Sequence, residues 1–132
     1  MADCTVKRLE DFEAVFGGGL RRVRAGLGVT AFGLAVIELP ARFESYPEHT
    51  QEHDGQEEVY TLLEGRATLE VGGERHELEP GVWARVGAGE RRRLVTAEEP
   101  AKVLAIGGVP GGVYEPPDFT EEGAPETIAH KF

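Results

Sequence analysis

The chain has one cysteine, no apolar run of membrane length and far fewer basic than acidic residues. Each shortage removes a class of protein. Cys4 stands alone, so no internal disulfide can form; with no base in sight beside it, it reads as an unreactive thiol near a terminus. No stretch approaches the ~20 apolar residues of a spanning helix, and residues 1–8 lack the apolar centre of a secretory signal, so a cytoplasmic location is expected. Fourteen Lys and Arg against 24 Asp and Glu give a net charge of −10, the wrong sign for phosphate contacts, so neither nucleic acid nor membrane is expected as a partner. Also missing are a G-x-S-x-G elbow, a cysteine with a nearby histidine, a Walker loop and a dinucleotide fingerprint. Any chemistry would have to rest on a metal or on acid and base side chains.

What is present is punctuation. Eighteen Gly and eight Pro separate short apolar runs, a rhythm that points to an all-β fold rather than a helical one. With 132 residues and 40% apolar composition, one domain (1–132) with one core is expected. Leu9, Phe12, Val15 and Phe16 lie at helical spacing and predict a short N-terminal helix over 7–16, ended by three glycines. Strands are predicted over 20–24, 30–39, 59–63, 67–71, 75–78, 82–86, 92–96 and 102–107, with Gly72-Gly73 as a hairpin turn. The run Phe32 to Leu39 is apolar on both faces, and its second face is expected to be covered by a partner copy in a homodimer. Residues 109–132 are too rich in Gly, Pro and Glu for a central strand and read as an extended tail, frayed from Thr120 onward, with His130 a terminal side chain.

One stretch concentrates chemistry. In His49-Thr-Gln51-Glu-His53-Asp54-Gly55-Gln56-Glu-Glu58-Val-Tyr60, two His, a Gln and a Glu flank an Asp-Gly turn signal. A two-residue turn at Asp54-Gly55 would pair His53 with Gln56, Gln51 with Glu58 and His49 with Tyr60, all on one face. His49 and His53 would then stand roughly 13 Å apart at about 3.3 Å per residue, too far to share an ion through metal–nitrogen bonds of about 2.1 Å.

This stretch, with Gly65 seven residues beyond Glu58, resembles the first motif of the cupin superfamily, H-x-H followed by a Glu and a later Gly. A weaker second motif follows in Gly73 to Gly81 and in Gly87-Ala-Gly89-Glu-Arg-Arg92. The departures are specific. H-x-H reads as His49-x-Gln51 or as Gln51-x-His53, with His49 slightly favoured because it follows Pro47 at the usual distance. The Pro of the second motif is Gly87, and its histidine falls on Arg92.

The resemblance implies a double-stranded β-helix, the jelly-roll barrel of cupins, with its core over about 20–108 and commonly dimeric. It implies a metal site of His49 or His53 with Gln51 and Glu58 for Fe, Mn, Ni or Zn, weakened or lost through the two replaced ligands. An arginine cannot ligate and repels a cation, so Arg92 is expected either to anchor an anionic small molecule or to pair with Glu58. Tyr60, on the inward face with Glu58, is the other expected ligand contact; an aromatic wall with Trp83 stands against the commoner role of isolated strand aromatics, which is packing. Three functions stay open: a small-molecule-binding barrel, a metal-dependent dioxygenase or isomerase, and a non-enzymatic sensing module. A metal-free isomerase using a histidine base is a further form of the enzyme reading.

Overall fold

The computed structural model describes residues 2–126; His130 lies outside them. Among the described residues nine strands form two antiparallel sheets: β1 (Ala14–Val15), β2 (Leu20–Arg21), β3 (Gly33–Leu39), β4 (Glu57–Gly65), β5 (Ala67–Val71), β6 (Glu74–Leu78), β7 (Trp83–Val86), β8 (Arg92–Val95) and β9 (Ala101–Gly108). The larger sheet runs β1-β2-β3-β9-β4-β7 and the smaller β6-β5-β8. Ile37, Leu39, Tyr60, Leu62 and Val103 from the first meet Leu69, Leu78 and Leu94 from the second in one core. Residues of β9 alternate between buried and half-buried, as a strand with one face on a core must. The chain is thus a two-sheet β-barrel of the expected class.

Turn chemistry sets several connections. Gly72 and Gly73 both take positive φ (55° and 87°), the primed turn that joins β5 to β6 in the register Val71 to Glu74. Gly65 (φ 82°) ends β4 where a Cβ would stand 1.9 Å from the Pro100 carbonyl oxygen.

The N-terminal segment departs from expectation. Residues 7–16 make only a 3₁₀ turn at Leu9–Asp11 before β1, and the α-helix (α1, Val23–Leu27) lies where a strand over 20–24 was expected. Tertiary packing explains this. Phe12, Val23 and Val36 form a second cluster on the far side of β3, joined by Leu9, Leu27, Leu34 and Leu104. Val23 and Leu27, one turn apart, face that cluster, and Gly28 at φ 82° ends α1 with its N–H on the Arg24 carbonyl. Gly26 makes room for the Phe12 ring, which a Cβ would approach to 2.4 Å. Val36 and Leu34 on the second apolar face of the Phe32 to Leu39 run are therefore covered by the chain's own N-terminal segment, while Phe32 stays 41% exposed.

The tail is docked along its described length. Arg22 donates to the carbonyls of Phe119 (2.8 Å) and Ala124 (3.0 Å), and the Gly123 N–H donates to Glu13 (2.9 Å). Tyr114 is buried, and Phe119 meets Phe16 edge-on with ring centroids 6.1 Å apart.

Candidate functional site

Against the larger sheet lies a cavity of about 390 Å³, walled by β3, β9, the start of β4, the loop before it and the docked tail. The loop is where the predicted hairpin fails. Both edges of β4 are taken, by β9 and β7, so residues 49–53 have no strand edge left to pair with. His49 makes an isolated bridge with Arg92 instead. The chain turns at Gln51 to Gly55, where the Gly55 N–H reaches the Gln51 carbonyl at 2.8 Å and Gly55 takes φ 73°.

Asp54 organises this turn through its side chain. Its carboxylate accepts from the Gln56 backbone N–H (3.0 Å), from the Gln56 amide (2.9 Å) and from the Gln51 amide (3.0 Å), with His53 Nε2 at 3.4 Å. Both glutamines turn their amide nitrogens to Asp54; the carbonyl oxygen of each is left for other contacts. That of Gln56 sits over Gly107, where a Cβ would come within 2.2 Å of it. Because the segment is bent rather than extended, His49, Gln51, His53, Gln56 and Glu58 all line one cavity, in place of the 13 Å separation of a straight strand.

His49 is buried, and its Nδ1 lies 2.9 Å from the Pro47 carbonyl, which can only accept, so Nδ1 carries the proton and Nε2 the lone pair. Burial holds this imidazole below its ordinary value, the Pro47 bond and the Glu58 charge opposing, and it is neutral at pH 7.

Behind Glu58 lies a closed polar unit. Arg92, fully buried, points inward as the motif alignment implies, but every nitrogen is engaged by the protein: Nη1 to Glu58 Oε1 at 2.5 Å, Nη2 to the Gly87 carbonyl at 2.5 Å and Nε to the Glu90 carbonyl at 2.9 Å. The Tyr60 hydroxyl donates to the same Glu58 oxygen at 2.6 Å, and burial first, then the Glu58 charge, drives its pKa well up. Neither Arg92 nor Tyr60 lines the cavity. Of the two roles open to Arg92, the geometry is that of the Glu58 pair. Arg91 and Arg93 point outward to Glu48 and Glu70, and Trp83 is 65% exposed, far from an aromatic wall.

A cupin metal does not fit this donor set. One Glu58 oxygen already receives a guanidinium and a phenol, and Arg92, at the position the motif resemblance gives to the fourth ligand, carries a fixed positive charge. Among the described residues no group of three or more His, Cys, Asp or Glu side chains converges to hold an ion. His49 and Gln51 would have to carry the site almost alone.

Other cavity residues escaped the motif reading. Arg24 and Tyr114 come from segments read as strand and tail, and Phe16 and Phe119 from opposite ends of the chain. No local signal marks them, because the tertiary fold alone brings them to the cavity.

Two packed antiparallel sheets with a partly polar cavity against the larger one define the class, a β-barrel. Residues 35–107 match the cupin domain family, and the chain belongs to it. Among solved structures it is similar to a cupin protein from Bacteroides fragilis (22% identity, 88% of this chain and 92% of that one, TM-score 0.69). It also resembles a sugar phosphate isomerase of the cupin superfamily from Silicibacter pomeroyi (23%, 79% and 75%, TM-score 0.64). A third is the cupin domain of an XRE-family transcriptional regulator from Enterobacter cloacae (18%, 63% and 86%, TM-score 0.54). At these identities the likeness is one of fold. No curated protein matches the sequence at a significant level.

Proposed function

We propose that this chain is a small-molecule-binding cupin whose metal centre has been replaced by the Arg92–Glu58 ion pair. The carrying observation is that pair: a fully buried guanidinium in the fourth ligand position, with all three nitrogens bonded to the protein. The ligand occupies the cavity on the other side of Glu58, whose size is that of ordinary small-molecule sites. Metal analysis of protein purified without added metal is expected to show far less than one ion per chain. Arg92→His, which restores a neutral donor and releases Glu58, is expected to gain zinc binding. A stoichiometric transition metal retained by the unaltered protein through dialysis would overturn the proposal and favour a metal-dependent enzyme.

A second reading is favoured by one observation, the neutral His49 with its lone pair on Nε2. That nitrogen is suited to take a proton from a bound carbonyl compound, the chemistry of a metal-free isomerase. A candidate substrate whose turnover collapses in His49→Gln while its binding persists would establish this over a sensing role.

A further inference from the structure

Three arginines are buried in this protein, and one of them is not satisfied. Arg22 places Nε on the Phe119 carbonyl, Nη1 on Glu13 and Nη2 on the Ala124 carbonyl. Arg92 is equally complete. Arg24, only 5% exposed, donates Nη1 to the Val29 carbonyl at 2.9 Å, while its Nε and Nη2 have no hydrogen bond. Nη2 lies 3.1 Å from Glu121 Oε1, a charge contact without hydrogen-bond alignment, to a carboxylate that is 51% exposed and so weakly held. These two nitrogens are the only buried side-chain polar atoms among the described residues that lack a hydrogen bond. The Val29 bond and the Glu121 contact offset only part of the desolvation cost of a guanidinium held this way.

The position explains the omission. Arg24 lines the cavity and, among the described residues, supplies the only Lys or Arg side chain in its wall. We infer that Arg24 is the anion anchor of the cavity, and that its ligand is a small carboxylate with a largely apolar body. Two adjacent buried N–H donors without hydrogen bonds, on one plane, match the two oxygens of a carboxylate that displaces Glu121. Leu34, Ile37, Leu39, Phe43 and Phe119 offer apolar surface to the remainder of the ligand. One full positive charge, in a cavity that also holds Glu58 and in a protein of net charge −10, balances a monoanion better than a phosphate dianion. Tyr114 stands close by, its hydroxyl against Gly33, and burial raises its pKa so that it stays a protonated donor. The incoming carboxylate takes the place of Glu121 beside Nη2. The inference rests on the reading of the barrel as a metal-free ligand site.

The test uses the full chain with phenylacetate, its neutral analogue phenylacetamide, and inorganic phosphate, followed by calorimetry and by the Arg24 Nε–H resonance. Phenylacetate is expected to shift that resonance and to bind at least about tenfold more tightly than the amide. Arg24→Gln is expected to reduce phenylacetate to the affinity of the amide, and Glu121→Gln, which removes the competing carboxylate, to strengthen it. Equal binding of acid and amide, or an unmoved Nε–H resonance, overturns the inference; tighter binding of phosphate overturns the choice of a carboxylate. If Arg24→Gln fails to fold, the wild-type resonance and Glu121→Gln decide the matter. Metal content measured on the same samples separates failure of the metal-free reading from failure of the anchor.

Discussion

The two ends of the barrel interior handle a buried arginine in opposite ways. At the inner end Arg92, Glu58, Tyr60 and the carbonyls of Gly87 and Glu90 form a closed set in which every charge has an aligned partner. At the cavity wall Arg24 keeps two donors without hydrogen bonds and only a half-exposed carboxylate near it. A closed set stabilises the fold and offers a ligand nothing. An open one costs stability and offers a ligand its binding energy.

The comparison is sharpest where one partner is removed. Glu58→Ala leaves the fully buried Arg92 guanidinium without its carboxylate, and a loss of about 3–5 kcal/mol is expected in urea unfolding. A loss below about 1 kcal/mol, the worth of a surface pair, would mean that the closed set is not closed. The counterpart at the cavity wall has the opposite sign: Arg24→Met removes unsatisfied buried donors and is expected to leave the ligand-free protein unchanged or more stable by up to about 1 kcal/mol. A destabilisation matching that of Glu58→Ala would erase the distinction between the two ends.

The smallest effect concerns His49, which faces both. Its folded pKa lies below the ordinary value of about 6.5, so its contribution to stability is complete above that pH and is lost as pH falls through the folded pKa. Between pH 7 and 5.5 stability is expected to decline by less than about 1.4 kcal/mol per pH unit, the limit for one proton. His49→Gln should flatten that decline. An unaltered slope in the variant would assign the dependence to the acidic side chains.

The strands were legible because their signals are local. Gly72-Gly73 specifies a turn by its own backbone, and the apolar run over 102–107 announces a strand, although only the structure shows its alternating burial. The inward direction of Glu58 and Arg92 was legible from motif spacing alone. The Asp54-Gly55 signal misled because its meaning depends on whether a neighbouring strand edge is free, and β7 and β9 had taken both edges of β4. Residues 7–16 misled for a related reason: helical spacing describes which residues are buried, and a 3₁₀ turn followed by an extended segment buries Phe12 and Val15 equally well. Arg24, Tyr114 and Phe119 could not be found by any local pattern. Their place at the cavity follows from α1 and the tail docking against the barrel, contacts such as Arg22 to Phe119 between residues 97 positions apart.

Gly65 carries a different kind of consequence. Its left-handed φ of 82° disfavours every side chain, and the Pro100 carbonyl oxygen, 1.9 Å from where a Cβ would stand, is backbone that cannot rotate aside. The conformational and the steric requirement are independent, so relief of one does not relieve the other. At Gly108 neither applies, since no atom lies within 4 Å of an added Cβ and φ is outside the left-handed range. Among the descendants of this sequence, position 65 is therefore bound to its ancestral residue by geometry, while position 108 is free to drift.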